Sequence, residues 1–346
     1  MYLDSSETSA APASFSLAER DAYLARIPTE TTRGERALLF EHFSREWDGR
    51  GAVVEIGPFL GGTTRAIAWG MQHNPAAPST ACVHTFDRFD VYYSPDQLRR
   101  TVEPLVRNGD LPAAQADALC ATADFEALFH AIHRPHAYAS RIRLHNSPLP
   151  DFPEELAASR AFAPIAHESE FGAVFVDGCK SWTSTLYAMR ELLPRCRPGA
   201  AVIFQDFGWF TCFWISSVVH ALRDHLSLVR HVDATYHYKL VRPITAEEVS
   251  ARFTPAPHAM GERFFFEAAS ALIQSSLARG DLRGELIAQL HLVAALATLG
   301  DQPAARKVLQ GVNPGRYVAD AALIRGSLAS PTYLPGNRPI RWSHAA

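Results

Sequence analysis

The sequence predicts an α/β fold built on a doubly wound, mostly parallel sheet with an antiparallel last strand. Three observations predict it. Short β-rich runs recur between helix-patterned stretches, the pattern of a parallel sheet covered on both faces. A glycine turn, "GPFLGG" at 57–62, follows the first of these runs directly. The last two runs, within "SLVRHVDATYHYKLVR" (227–242), are close enough for a hairpin, so the final strand must reverse and add an antiparallel edge.

In chain order, residues 1–15 are rich in Ser, Ala, Thr and Pro and are expected to be disordered. Helices are expected over 16–26 and 32–47; the second sets Leu38, Leu39, Phe43 and Trp47 along one side at helical spacing. Strands are expected at 52–56, 82–86, 141–146, 172–176 and 200–204. Breaker-containing stretches such as "DVYYSPDQ" and "NGDLPAAQ" mark 90–138 as a long, lid-like insert, with Tyr92 and Tyr93 placed to wall a site from above. Beyond 245 the chain turns helical, with Gly-Asp breaks at 280–281 and 300–301 and too few units for a solenoid. The expected organisation is a helical extension over 1–48, a catalytic α/β domain over 49–244, and a helical C-terminal extension over 245–346 packed on that domain or on a second subunit.

Composition excludes several classes. The 346 residues carry a formal net charge of −3 with both signs scattered, unlike a nucleic-acid-binding stripe or a polybasic membrane patch. Five cysteines, none in a CxxC pair, argue against a disulfide framework or zinc knuckle. The N-terminus lacks a basic-then-apolar leader, and no apolar run approaches a bilayer span. These features point to a cytoplasmic protein without nucleic-acid or membrane partners.

The glycine turn limits the ligand. A dinucleotide fold wants G-x-G-x-x-G, whose middle glycine lets backbone approach a pyrophosphate. Phe59 stands at that place, and Glu55 would set a negative charge near the phosphates. A ligand with an ammonium group and no phosphate turns Glu55 into an attraction, and S-adenosylmethionine is such a ligand.

"VVEIGPFLGGTTRAIA" resembles the first motif of class I S-adenosylmethionine-dependent methyltransferases, in the small-molecule O-methyltransferase group that includes catechol-type and macrolide-sugar enzymes. "FGAVFVDGCKSWTSTLYAMRELLPRCRPGAAVIFQDFG" is the second and more specific anchor. The resemblance covers about 50–242; the last hundred residues match nothing in it. It implies a Rossmann-like fold and a small-molecule acceptor, in the setting of natural-product metabolism. It also implies cofactor contacts from Glu55, Gly57, Gly61 and Thr63 on the methionine part, Asp87 on the ribose hydroxyls, Asn146 and Ser147 near adenine, and Asp177. A homo-oligomer through the helical extensions is compatible with it. An NAD-dependent oxidoreductase on the same topology, and a non-catalytic S-adenosylmethionine-binding relative acting through its helical C-terminus, stand as alternatives.

Methyl transfer needs an aligned and sufficiently nucleophilic acceptor. A phenol has a pKa of about 10, whereas a sugar alcohol resembles water at about 16. The resemblance implies two aids. Asp177, Gln205 and Asp206 match a divalent-metal site, whose oxygens suit Mg²⁺, although Gln205 stands where an acid is common. Lys180 in "DGCK" matches a catalytic lysine, whose pKa would have to be lowered for base chemistry. Cys179 is expected to pack rather than react. Phe210, Phe213 and Trp214 are expected on one helical face, as core, with Trp209 or Phe210 bordering the acceptor. His145, His220 and His237 show no metal-ligand spacing and are expected in core or surface roles.

Overall fold

The computed structural model describes residues 16–89, 93–334 and 338–342. The expectations for residues 1–15 and Tyr92 lie outside them.

The chain opens with helices α1 (Leu17–Leu24) and α2 (Arg33–Glu41), and α2 runs on into a π-helical turn, His42–Glu46. Ser16 and Thr32 start the two helices as capping boxes with Glu19 and Glu35. The sheet strands are β1 (Ala52–Ile56), β2 (Val83–Asp87), β3 (Ile142–Asn146), β4 (Phe171–Val176), β5 (Cys196–Phe204), β6 (Leu226–Val232) and β7 (Thr235–Leu240). Their spatial order is β3-β2-β1-β4-β5-β7-β6. β1 to β5 are mutually parallel, and β7 runs antiparallel to both β5 and β6. The last strand is therefore antiparallel, as expected. It inserts between β5 and β6, so β6 holds the rim.

Alternation along buried strands sorts the core into two layers. Val53, Ala173, Phe175, Ala201 and Ile203 meet Leu38, Leu39 and Phe43 of the N-terminal helices, together with Ile67 and Met71 of α3 (Gly62–His73). Val54, Ile56, Val174, Val202 and Phe204 meet Leu186 and Met189 of α7 (Trp182–Leu192) and Phe213 and Val218 of α8 (Phe213–Ala221). The expected grouping of Phe210 with Phe213 and Trp214 needs one correction: Phe210 precedes α8. All three are buried.

The insert between β2 and β3 forms helices α4 (Pro95–Arg107), α5 (Ala113–Thr122) and α6 (Phe125–His133). The apparent breakers are helix starts: Ser94 caps α4 in a box with Gln97, and Pro95 takes the first helical position. Leu98, Val102, Leu105, Cys120 and Leu128 form a small core of their own, closed onto Ile27 and Leu60.

The C-terminal segment contributes α9 (Ala246–Arg252), α10 (Pro257–Ala278), α11 (Leu282–Leu299), α12 (Gln302–Gly311), α13 (Ala321–Ala329) and the hairpin β8 (Thr332–Leu334)–β9 (Arg338–Ile340). The Gly-Asp breaks are caps. Asp281 and Asp301 accept N–H bonds at the starts of α11 and α12, and Gly300 ends α11 in the left-handed region at φ 88°. Leu286, Leu290 and Val293 belong to the same buried cluster as β4 and β5, so this segment shares the core of the sheet. α11 is long and apolar enough by composition to cross a membrane, which corrects the expectation that no run approaches that length. Packing against α8, α10 and α12 accounts for its composition.

Candidate active site

The C-terminal ends of β1, β2, β4 and β5 converge on the glycine turn. At Gly57 the backbone has φ 84°, and a Cβ there would lie 2.4 Å from the Gly178 nitrogen. Asp177 and Gly178 both donate N–H bonds to the Ile56 carbonyl, each at 2.9 Å. The turn and the end of β4 are thereby one unit. Gly61, at φ 88°, begins α3, and no side chain caps that helix. An uncapped helix start presents N–H groups and a partial positive charge to an anionic group such as a carboxylate.

Glu55 lies beneath the turn, fully buried. Its Oε1 accepts from Thr63 Oγ1 at 2.7 Å, and its Oε2 accepts from Thr64 Oγ1 at 2.6 Å and from the Thr85 hydroxyl. Burial pushes its pKa up while the three hydroxyls oppose the shift. Sequence reading aimed Glu55 and Thr63 at a ligand. In the structure they bind each other and tie the first turn of α3 to β1 and β2.

Phe59 explains its departure from a dinucleotide motif. It adopts φ 53° and stacks on Tyr93 of the insert, ring centroids 5.5 Å apart, with Phe125 at 5.9 Å. Tyr93 in turn donates to Glu30 Oε1 at 3.1 Å. The side chain in the middle of the turn is the foot on which the insert stands. A second link lies behind Gly61, where His133 of α6 is 3.1 Å from the Leu60 carbonyl and 3.1 Å from Tyr138 Oη. Tyr138 accepts from the fully buried Arg65 at 2.9 Å. Burial, then the Arg65 charge, lowers the His133 pKa to about 3, so its ring is neutral.

Asp87 ends β2. Its Oδ1 accepts the backbone N–H groups of Arg88 at 2.7 Å and Phe89 at 3.0 Å, which fixes the carboxylate's direction. Burial raises its pKa. Its carbonyl accepts the Ser147 N–H at 2.7 Å, and the Ser147 hydroxyl donates to the Ala161 carbonyl at 2.8 Å. Asn146 is exposed and turns its amide to Glu126 of α6 at 2.7 Å. Ser147 thus stands beside Asp87, while Asn146 is engaged with the insert.

Asp177 follows β4, and Asp206 follows β5 at φ 62°, a left-handed geometry uncommon for a non-glycine residue. Between them lies the Lys180 ammonium, 3.0 Å from Asp177 Oδ1 and in contact with Asp206 Oδ2. Despite its burial cost, Lys180 is held well above its ordinary pKa by Asp206 and then Asp177. This corrects the expectation of a lowered lysine pKa: two carboxylates keep the proton on. Asp177 also rises, because burial and the second carboxylate outweigh the lysine. One ammonium cannot neutralise two carboxylates, so proton uptake falls on the more buried acid. The Lys180 side chain is 42% exposed and Asp177 19%, so the site opens to water and screening limits the size of these shifts. Gln205, beside Asp206, is buried with an Oε1 that has no hydrogen-bond partner.

Sequence reading missed the residues that frame this triad. Glu30, Cys212 and Tyr333 interact electrostatically with Asp177 or Asp206, and they come from the N-terminal extension, the loop after β5 and the terminal hairpin. The post-β5 loop is held by α11. His291 lies 2.8 Å from the Trp209 carbonyl and 2.8 Å from Ser216 Oγ. Trp209 itself is 40% exposed, and Phe210 packs against Gly326 of α13. Cys179 is buried, its thiol donates to the Ser184 carbonyl at 3.7 Å, and burial drives its pKa up.

A family model described as a methyltransferase domain matches residues 54–207. Among solved structures, the chain is similar to the O-methyltransferase NovP at 14% identity, over 62% of this chain and 83% of that one, TM-score 0.38. It is similar to CalS11, a calicheamicin methyltransferase, at 16% identity over 64% and 91%, TM-score 0.38. For TomG, an O-methyltransferase from Streptomyces achromogenes, the values are 14% identity over 65% and 86%, TM-score 0.33. No curated protein matches the chain. The matched span runs from β1 through the turn, the insert and the Asp177–Asp206 pair, on the strand order described above. Residues 54–207 of this chain match a methyltransferase domain, laid out on a doubly wound, mostly parallel sheet.

Proposed function

We propose that the chain transfers a methyl group from S-adenosylmethionine to a hydroxyl oxygen of a small molecule, such as a natural-product intermediate. The observation that carries the acceptor chemistry is the Asp177–Lys180–Asp206 triad at the ends of β4 and β5, directly beside the glycine turn.

Bound S-adenosylmethionine supplies an electrophilic methyl group on a sulfonium. The uncapped start of α3 would receive the ligand's carboxylate, and the oriented Asp87 would accept from its ribose hydroxyls. The backbone of Gly57 and Gly61 brings the turn close on that side, Ser147 flanks Asp87, and Glu55 holds the turn in place through Thr63. Asp177, raised by burial, would take the proton of the acceptor hydroxyl. Lys180, held as an ammonium, would stabilise the oxygen as it gains charge. This assigns proton acceptance to Asp177 and electrostatic support to Lys180.

The donor chemistry also fits a hard dication. Asp177, Asp206 and the unpartnered Gln205 Oε1 offer three oxygens for Mg²⁺, with Lys180 giving way between the carboxylates. Such an ion would lower the acceptor's pKa.

The test is methyl transfer to a panel of small hydroxylated acceptors across a Mg²⁺ series, by the wild type and Asp206→Asn. Transfer to oxygen, cut by about a hundredfold or more in the variant, is expected. Transfer confined to nitrogen or carbon acceptors contradicts the reading. Equal activity of the variant at every Mg²⁺ concentration removes the dication from it.

A further inference from the structure

Away from the triad, at the join between the N-terminal helices and the far end of the sheet, three metal-ligating side chains meet. His42 and Glu46 come from the π-helical turn, and His237 comes from β7. One ring nitrogen of each histidine and one Glu46 oxygen lie within 4.8 Å of one another. His42 Nδ1 is 3.2 Å from Glu46 Oε2, and the two imidazoles cross edge to face with centroids 4.7 Å apart.

Two further observations point to a ligand. His42 is 6% exposed and His237 4%, yet His42 Nε2 and His237 Nδ1 are buried with no hydrogen-bond partner. Buried polar atoms are nearly always satisfied, so two orphaned imidazole nitrogens at one contact require an explanation. The backbone is also specialised. The Trp47 N–H bonds the His42 carbonyl at 2.8 Å, five residues back. Single π-turns cost regular helix geometry and are frequent at functional sites.

We propose that His42, Glu46 and His237 bind a first-row transition-metal dication, with Zn²⁺ favoured by the donor set, that fastens the N-terminal helical layer to the sheet. Two imidazoles and one carboxylate are borderline donors suited to Zn²⁺, Co²⁺ or Ni²⁺ and poorly suited to Mg²⁺. Three protein ligands leave a fourth position for water. The Glu46 side chain keeps 39% of its exposure, which gives an ion a way in from the surface. Arg230 pairs with both oxygens of the same carboxylate, Nη1 with Oε1 at 2.7 Å and Nη2 with Oε2 at 3.0 Å, the oxygen that faces His42, and so orients it. The Arg230 charge, with Lys239 near His237, works against a dication and sets the affinity well below that of an all-anionic site. His237 pairs with Ile203 on β5, the strand that leads to Gln205 and Asp206, so an ion here stiffens the scaffold beneath the triad without touching it.

The experiment uses full-length, tag-free protein stripped with a chelator, titrated calorimetrically with Zn²⁺ and spectroscopically with Co²⁺. One equivalent of Zn²⁺ should bind at micromolar concentration and raise the thermal midpoint, while equal Mg²⁺ does neither at this site. Co²⁺ should give the intense visible absorption of a low-coordinate site with nitrogen donors. His237→Ala should lose that equivalent. Glu46→Gln keeps the side chain's shape at a half-exposed position and should weaken Zn²⁺ by at least about tenfold; it decides the matter if His237→Ala fails to fold. The absence of saturable Zn²⁺ binding overturns the proposal. So does wild-type affinity in Glu46→Gln, which would place the ion elsewhere, for instance near Cys82, His84 and Glu168, where His84 is 3.4 Å and 3.3 Å from its neighbours.

Discussion

The Nε2 atom of His133 occupies the space in front of Gly61, 1.9 Å from where a Cβ on that residue would stand. The glycine that begins α3 and the insert helix that carries His133 therefore fit together as backbone and side chain. Gly61→Ala meets two obstacles, a left-handed φ that costs about 1–2 kcal/mol and an overpacked contact worth about 1–3 kcal/mol. We expect urea denaturation to show a loss of that combined order. Made in a His133→Ala background, Gly61→Ala should cost less by the His133 share of the contact, keeping the backbone share and the remaining approach to Phe129 Cε2 at 2.8 Å. A destabilisation unchanged by removing His133 would mean that the ring does not seal the turn.

This relationship also shows what the sequence could and could not disclose. Strands were legible because "AVVEI", "GAVFV" and "AAVIF" are buried on both faces and read as continuous apolar runs. The order of Glu55, Gly57, Asp87, Asp177 and Asp206 was legible because each acid lies at or just past the C-terminal end of a strand. Pairings distant in sequence were not. Nothing in "HAIHRPHAY" marks His133 as the neighbour of Gly61, and nothing near His42 announces His237. Glu55 was legible as a key residue and its three threonine partners were not, because they meet it only when α3 folds back over β1 and β2. The helices of the lid-like insert were not legible because starts built from Ser-Pro and Leu-Pro look like breakers, although Ser94 caps α4 and Pro112 leads into α5.

Lys180 and Asp177 make opposite demands on a pH–rate profile. If Asp177 accepts the proton, turnover requires its ionised form. Its pKa is raised to about 7, so log kcat/KM should fall with unit slope below that region and level off above it. If neutral Lys180 were the base, the rise would lie above the ordinary lysine range, because both carboxylates hold its proton on. Lys180→Ala should cut turnover by about a hundredfold or more while leaving the affinity for S-adenosylhomocysteine within about twofold. Full activity in that variant would exclude any catalytic part for the lysine.

Acid stability follows from buried histidines. His133 falls from 6.5 to about 3 and His291 from 6.5 to about 4, both chiefly through burial. Their unfolded forms take up a proton below about pH 6.5 and the native forms do not, so this stability is complete above 6.5 and is lost as pH drops through 6.5 toward 4. Equilibrium unfolding measured at pH 7.5, 6, 5 and 4.5 should show a steepening decline, each histidine contributing on the order of a few kcal/mol at full effect. His291→Asn should flatten the decline, because an amide can serve the Ser216 and Trp209 partners without titrating. An unchanged slope in that variant would show that His291 does not titrate with unfolding.

The central claim is that the turn at 57–62 and the carboxylate of Asp87 hold an S-adenosylmethionine-type ligand. Calorimetric titration of the purified protein with S-adenosylhomocysteine, and separately with NADH, tests it most directly. The account predicts micromolar binding of S-adenosylhomocysteine, no binding of NADH, and a loss of roughly ten- to a hundredfold in Asp87→Ala, the worth of hydrogen bonds to a charged acceptor. Binding of NADH without S-adenosylhomocysteine would contradict it, and with it the cofactor role of every residue placed around the turn.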